Sequence, residues 1–151
     1  MSVDLSLRIG KTKFKNPVLV ASGTFGYAQE FERFYDVAML GGIVTKTITY
    51  HPRAGNATPR TVETPSGMLN SIGLTNPGID AFIEEKVPPL AELDTGRVVS
   101  IAGTSNEEFA EMARRFNDLP GVDALELNIS SPNMKDGGQL FGCREAAAHG
   151  V

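Results

Sequence analysis

Two asparagines and two serines follow an apolar run in the last third of the chain, where they could grip a flat polar ligand. Residues 122–127 predict a buried strand, and Asn128, Ser130, Ser131 and Asn133 come directly after it. In α/β folds, ligands bind beyond the carboxyl ends of the strands. Carboxamides and hydroxyls supply both donors and acceptors of hydrogen bonds. The segment therefore predicts a binding site for a hydrogen-bonding ring, although an Asx turn would explain its composition too.

Other predicted strands also end in small or polar residues. The strands at 17–21, 43–45 and 97–103 are apolar, as expected for strands buried on both faces of a parallel sheet. Lys46 is the only cation at these strand ends, and near a ligand it would stabilise developing negative charge. Plain turns or a solvated rim lysine are the simpler interpretations of these positions. The residues in question are Ser22, Gly23, Lys46, Thr47, Ser100 and Gly103.

Composition narrows the class of protein. The 151 residues suffice for one domain with a core, and the net charge of −4, from 14 basic and 18 acidic residues, argues against a nucleic-acid partner. Cys143 is the only cysteine, and His51 and His149 have no partners at metal-ligand spacing, so neither a disulfide nor a metal site is expected. No apolar run reaches the roughly 20 residues of a membrane span. The lone cysteine fits a reducing compartment and the start does not resemble a signal peptide, so we expect a cytoplasmic protein without a membrane segment.

The predicted elements alternate between strands and helices. An N-terminal hairpin is expected at 5–9 and 12–14, and a fourth strand at 124–127. Helices are expected at 28–39, at 76–85 up to the break at Pro88 and Pro89, from the N-cap Ser105 to about 117, and from 144 onwards. Residues 49–75 predict a long loop with short strand-like pieces, which in a compact domain is usually functional or disordered.

This alternation predicts a parallel α/β fold. An open doubly wound sheet and a (β/α)₈ barrel both fit it. Because a barrel needs about 250 residues, the chain would supply the first four β/α units, and the last helix has no clear stop signal.

Five segments, in order, resemble the dihydroorotate dehydrogenase family. They are residues 16–23, 45–47, 65–76 including Asn-Ser-Ile-Gly-Leu at 70–74, the strand end at 102–103, and 128–142 with Asn-Ile-Ser-Ser-Pro-Asn. The resemblance covers residues 3–143, and residues 134–142 are most similar to the class 1B catalytic subunits. It implies the N-terminal part, residues 1–151, of a single FMN-binding (β/α)₈ TIM-barrel domain, with dihydroorotate lying on the flavin.

The resemblance also implies the roles of individual residues. A base takes a proton from C5 of dihydroorotate while hydride leaves C6 for the flavin, and Ser131 and Lys46 occupy the catalytic positions. The substrate-binding positions are Lys46, Asn70, Ser71, Ile72, Gly73, Leu74, Asn128 and Asn133. The FMN-binding positions are Ser22, Gly23, Lys46, Thr47, Ser100 and Asn128.

Ser131 departs from the pattern of the subclass. Class 1 enzymes usually have a cysteine there, and a serine needs a hydrogen-bonded relay to act as a base because its pKa is far higher. A natural variant, an engineered substitution and a related enzyme of altered activity all remain open. Ser100 is a lesser departure, because asparagine is common there in class 1B.

The class 1B resemblance further implies a partner subunit that carries FAD and an iron–sulfur cluster and passes electrons to NAD. A homodimer or heterotetramer is then expected for the full-length protein, in de novo pyrimidine biosynthesis. By itself, the 151-residue chain is expected to be inactive and to bind FMN weakly or not at all, because the family's phosphate-binding loops lie in the other half of the barrel. Another pyrimidine-oxidising flavin barrel, or a half-barrel that only binds a partner protein, are the alternatives.

Overall fold

The computed structural model describes residues 3–131 and 141–151, which form a sheet with helices packed on one face. The strands are β1 Leu7–Ile9, β2 Thr12–Phe14, β3 Leu19–Val20, β4 Gly42–Val44, β5 Ile48–Thr49, β6 Thr61–Thr64, β7 Gly67–Asn70, β8 Gly96–Ala102 and β9 Ala124–Leu127. The α-helices are α1 Gly78–Glu85, α2 Val87–Ala91, α3 Asn106–Phe116 and α4 Glu145–Gly150, with short 3₁₀ helices at Val37–Met39 and Phe141–Cys143.

The main sheet is parallel, and its strands follow chain order. β3 pairs with β4, and β8 pairs with β4, β5 and β9. Ile101 of β8 lies between Ile48 on one side and Leu127 on the other, so β5 and β9 occupy opposite edges of β8. β4 pairs with the same edge of β8 as β5, which makes β4 and β5 two parts of one interrupted strand. The resulting order is β3, β4–β5, β8, β9.

This order decides between the two predicted architectures. A doubly wound sheet reverses its strand order at a switch point, whereas each barrel strand lies beside its predecessor. No reversal occurs among the described strands, so the arrangement is that of the first four β/α units of a (β/α)₈ barrel. The described residues do not form a closed barrel.

The hydrophobic core lies between the sheet and the helices. Ile43, Ile48, Val99 and Ile101 point from the strands toward α1, α2 and α3, which contribute fully buried side chains that include Phe82, Leu90 and Met112. The amphipathic spacing of α3, together with its N-cap, explains its formation, since the Ser105 hydroxyl accepts a hydrogen bond from the Glu108 N–H. This predicted helix is confirmed.

The other face of the sheet is closed at its amino end by the N-terminal hairpin of β1 and β2, as predicted. Phe14 packs against Val44 and Val98. The Thr12 hydroxyl donates to the backbone carbonyl of Asp123 at 2.9 Å, which holds the hairpin near the start of β9. The hairpin therefore lies at the end of the sheet opposite to the predicted ligand-binding residues.

Two predictions about local structure are wrong, the helix at 28–39 and the burial of two strands. Residues 28–39 form successive turns and a 3₁₀ helix in place of an α-helix, because Ala28 has a positive φ of 77° and the Glu30 carboxylate accepts from the Tyr27 N–H. The strands at 17–21 and 122–127 are not buried, since Val18, Leu19 and Leu127 are exposed on edge strands. The helix expected at 76–85 ends at Glu85, as predicted, and Pro88 and Pro89 lie in the first turn of a separate helix, α2, where proline is tolerated.

The predicted long loop contains one of the strand-like pieces expected there, β6, paired with a strand that was not predicted, β7. β6 and β7 form an antiparallel hairpin whose turn is Pro65-Ser66. Proline suits the first central position of a two-residue turn, which explains why the chain reverses there. None of the helices in the described part of the chain has the length and apolar character needed to cross a bilayer.

Candidate active site

Three predicted ligand-binding residues meet at the carboxyl end of the sheet. The hydroxyls of Thr47 and Ser100 lie 2.9 Å apart, and the Asn128 Nδ2 donates to the Thr47 Oγ1 at 3.1 Å. The residues come from three neighbouring strands, and the Asn128 N–H also extends the ladder to the carbonyl of Ile101. Thr47 and Ser100 are buried, whereas Asn128 is half-buried. The Asn128 amide is therefore held in one orientation, and among the described residues its Oδ1 receives only a 3.5 Å contact, from Ser130.

A bulge in the interrupted strand places these side chains. Val44 pairs with Val98 and Ile48 pairs with Ile101, so three residues, 45–47, lie opposite two residues of β8. The buried Thr45 hydroxyl stabilises the bulge by accepting from the Ser100 N–H at 3.3 Å. Bulges redirect side chains and are frequent beside active sites. Here the bulge brings Lys46 and Thr47 to the mouth of the sheet.

Lys46 is a half-buried cation in the middle of this bulge. Its N–H donates to the carbonyl of Gly26 at 2.8 Å, which fixes the backbone against the loop that follows β3. Burial lowers the pKa of Lys46, and the positive charge of Arg60 lowers it further. Within residues 3–131 and 141–151, no acceptor or carboxylate pairs with its ammonium group. Such a lysine is suited to an anionic ligand.

The loop between β5 and α1 is fixed at its base by Asn76. The backbones of Arg53 and Asn76 exchange two hydrogen bonds of 3.0 Å. The buried Asn76 side chain accepts from the N–H groups of Thr49 and Gly78 and donates to the carbonyl of Leu74. Its Nδ2 also donates to the Thr49 hydroxyl at 2.9 Å. The loop therefore has a defined position relative to β5.

In the segment Ser71–Leu74 of this loop, the backbone carbonyls and the backbone N–H groups differ in their hydrogen bonding. The carbonyls of Ser71 and Ile72 accept hydrogen bonds from Asn56, and that of Leu74 accepts from Asn76. By contrast, the N–H groups of Ile72, Gly73 and Leu74 have no acceptor in the described part of the chain. Gly73 and Leu74 both have positive φ, 76° and 55°. Unpaired N–H groups in succession form a site that suits an anion.

The other predicted site residues that the structure describes follow strands of the main sheet or lie in the β6–β7 hairpin. Ser22 is half-buried and Gly23 exposed, directly after β3, and open space surrounds the position that a Gly23 Cβ would take. Asn70 is exposed at the end of β7, opposite Thr61. Ser131 is half-buried after β9. Asn133 lies outside the described residues. Gly103, by contrast, is packed against Phe109 of α3 and is not open to a ligand.

Two cavities accompany the candidate site. One of about 300 Å³ is lined by residues 59–62 and 69–71, and one of about 260 Å³ by residues 49–53 with Ala102, Thr104 and Glu108. A larger cavity of about 670 Å³ lies at the amino ends of the strands, beside Thr12 and Arg97. We assign the site to the carboxyl end, because there the polar side chains converge and the larger cavity has none of the predicted residues.

Three residues that support the site were not among the predicted site residues. Thr45 and Asn76 lie in the segments 45–47 and 65–76 that resemble the family but were given no role, and Asn56 was placed only in the polar loop. The Asn-Pro-Gly sequence at 76–78 was a usable signal, since asparagine side chains cap the turn that follows them. No local pattern predicts the contacts of Asn56, which join segments 15 residues apart.

The chain is similar to proteins of one family over its whole length. It matches the dihydroorotate dehydrogenase family over residues 4–151. It is 50% identical over 151 residues to the dihydroorotate dehydrogenase B (NAD(+)) catalytic subunit of Trichlorobacter lovleyi, covering 100% of the chain and 50% of that protein. It is 52% identical over 145 residues to the same subunit of Geotalea daltonii, covering 96% of the chain and 48% of that protein.

The fold is shared with solved structures as well. Two structures of the enzyme from Eimeria tenella, one with ferulenol and one ligand-free, superpose with TM-scores of 0.64 and 0.67 at 23% and 24% identity. They cover 98% and 92% of the chain and 44% and 41% of the solved chains. The chain thus spans about half the length of its relatives. On this evidence, the chain belongs to the dihydroorotate dehydrogenase family.

Proposed function

We propose that the protein oxidises dihydroorotate to orotate with FMN, in the de novo synthesis of pyrimidines. Two observations carry the proposal: Lys46 is a half-buried cation with no described counter-ion, and the N–H groups of Ile72–Leu74 have no described acceptor. Arg60 links the two features, because its charge acts on Lys46 and its carbonyl accepts from the Ser71 N–H. A carboxylate on a pyrimidine ring fits this arrangement.

The polar groups fit a flavin in the same place. Thr47, Ser100 and Asn128 present hydroxyls and an amide along three strand ends, and the open space at Gly23 lets a ring approach the backbone. When bound, FMN would supply the acceptor for the substrate hydride. We assign FMN contacts to Ser22, Gly23, Lys46, Thr47, Ser100 and Asn128. Residues 1–151 would form the N-terminal part of a single FMN-binding barrel domain.

The substrate side of the site is assigned to Asn70, Ser71, Ile72, Gly73, Leu74, Asn128 and Asn133, together with Lys46. Lys46 would neutralise the substrate carboxylate, and the asparagines would orient the amide edges of the ring. Ser131 is proposed to take the proton from C5, which requires a relay for its own proton. The fixed loop between β5 and α1 would exclude water from the ring.

The relatives are named as the catalytic subunit of the NAD(+)-dependent form. We therefore propose a partner subunit that carries FAD and an iron–sulfur cluster and delivers electrons to NAD(+). A homodimer or heterotetramer in the cytoplasm would follow.

Reduction of the flavin by substrate tests the proposal. In full-length protein loaded with FMN, anaerobic dihydroorotate is expected to bleach the flavin absorbance, and dihydrouracil, which lacks the carboxylate, is expected to bleach it far more slowly. Equal rates with both would favour a different pyrimidine oxidase. Absence of bleaching with either would contradict a catalytic function and favour a binding module.

A serine substitution tests the base. Ser131→Ala is expected to slow bleaching by about 100-fold or more, the usual contribution of a general base, whereas Ser131→Cys retains a group that can act as one. Ser6→Ala, a serine before β1, is the matched control. If Ser131→Ala bleached at the wild-type rate, the base would have to be another group.

A further inference from the structure

Asn56 lies directly against the segment proposed to bind the substrate carboxylate. Its Nδ2 is 2.8 Å from both the carbonyl and the hydroxyl of Ser71, and its backbone N–H donates to the carbonyl of Ile72 at 3.0 Å. A Cβ on Gly73 would lie 2.8 Å from the backbone nitrogen of Asn56. The two stretches of backbone are therefore in contact, with glycine at the point of closest approach.

These contacts determine which backbone groups of the segment remain unpaired. With the carbonyls of Ser71 and Ile72 bound to Asn56, each adjoining peptide plane is fixed, and the N–H groups that follow are left without a described acceptor. A peptide plane that turned over would present a carbonyl oxygen in place of an N–H. That oxygen would repel a carboxylate that the N–H would bind.

We propose that Asn56 is a positioning residue, which makes the Ser71–Leu74 segment selective for ligands that carry a carboxylate. It acts through Ser71 and Ile72 and need not touch the substrate itself. This inference rests on the proposed function, since the carboxylate in question is that of dihydroorotate or orotate.

Asn56 can be changed with little risk to the fold, because it is exposed and its side chain bonds only to Ser71 in the described residues. In full-length protein loaded with FMN, Asn56→Ala is expected to raise the Kd for orotate about tenfold, the equivalent of one or two hydrogen bonds. The Kd for the neutral methyl ester of orotate is expected to change less than twofold. Asn56→Asp, which replaces the donor by a negative charge, is expected to weaken orotate binding further.

Asn117→Ala is the matched control, since within residues 3–131 and 141–151 the Asn117 side chain donates only to Asp118, at the end of α3. It is expected to leave both dissociation constants at wild-type values. A general loosening of the fold by Asn56→Ala would weaken orotate and ester binding equally, and that result would overturn the positioning role.

A second measurement needs no substrate. The Ser71 N–H donates to the carbonyl of Arg60 at 2.8 Å, and its hydrogen exchange in ligand-free protein is expected to be faster in Asn56→Ala than in Asn117→Ala. If Asn56→Ala changed neither the exchange of the Ser71 N–H nor the affinity for orotate, the positioning role of Asn56 would be refuted. The proposed function would not be affected by that result. Failure of the wild-type protein to bind orotate would refute the proposed function, and the positioning role with it.

Discussion

At the scale of single residues, Lys46 carries a cost that a ligand would offset. Burial lowers its pKa, and Arg60 adds a like charge. A lysine whose folded pKa is lowered holds its proton less tightly in the folded state than in the unfolded state. Its charged form therefore destabilises the fold at neutral pH, and this cost disappears as the pH rises toward 10.5. A bound anion would instead stabilise the charged form of Lys46.

Lys46→Met is expected to separate stability from binding. Removal of the buried charge leaves the free energy of unfolding equal to or above that of the wild type, whereas orotate affinity falls about 10- to 100-fold. Urea unfolding and orotate titration of the full-length protein measure the two effects. Lys11→Met, in the exposed turn between β1 and β2, should change neither. A destabilised Lys46→Met that still bound orotate normally would assign the lysine to the fold.

Tyr27 is a second residue whose burial has an energetic cost. Its ring packs against Phe82, with the Lys86 ammonium 5.8 Å from the ring centroid, and its buried hydroxyl has no hydrogen-bond partner in the described residues. Burial, and then the charge of Glu30, raise the pKa of Tyr27 to about 12. The folded state therefore keeps this proton between pH 10 and 12, while the unfolded state loses it.

Tyr27→Phe is expected to remove an alkaline loss of stability. Wild-type stability should fall as the pH rises from about 10 to 12 more steeply than that of Tyr27→Phe, since the phenol resists ionisation only when folded. Urea midpoints at pH 8, 10 and 11 measure the difference between the two proteins. Identical slopes would mean that the Tyr27 hydroxyl is solvated.

At the scale of elements, sequence patterns predicted the central strands and the capped helix but not the irregular segments. β4, β8 and α3 form where their apolar runs and the Ser105 cap predict them, because each pattern is local. The aromatic spacing at 28–39 resembled a helix, yet Phe31 stacks on Phe25 from a series of turns. The sequence could predict that Thr47, Ser100 and Asn128 lie close together, because each follows or ends a strand of a parallel sheet. The bulge at 45–47 could not be predicted, because it depends on the register between strands far apart in the chain.

The loop between β5 and α1 should depend on Asn76 for its attachment. Asn76→Ala leaves the Thr49 and Gly78 N–H groups and the Leu74 carbonyl without their partner, in a buried position. We expect a loss of about 3 kcal/mol in the free energy of unfolding, because each unsatisfied buried group costs about 1–3 kcal/mol. Chemical denaturation measures it, with Asn117→Ala as the control. A loss no larger than that of the control would mean that water replaces the Asn76 amide.

At the scale of the whole molecule, the sheet has two open edges among the described residues. There, β3 pairs only with β4, with Leu19 36% exposed, and β9 pairs only with β8, with Leu127 44% exposed. In a closed barrel, neighbouring strands would cover both edges and bury these apolar residues. The curated relatives are about twice as long as this chain.

The 151-residue chain by itself is expected to self-associate and to bind little FMN. Exposed strand edges pair readily with one another, and a charge on an edge strand opposes such pairing. Sedimentation velocity should therefore show association that rises with concentration and that Leu127→Lys reduces. Met39→Lys, at a residue 73% exposed in a 3₁₀ helix, should leave it unchanged.

Flavin binding by the same chain tests whether the site is complete. After dialysis against FMN, absorbance of the isolated chain should be far below one flavin per chain. Addition of the second half of the Trichlorobacter lovleyi subunit should raise the flavin content and reduce self-association. The two effects should occur together, because each requires that β3 and β9 be covered by neighbouring strands. A monomeric chain that retained one flavin would show that the first four β/α units suffice to hold the cofactor.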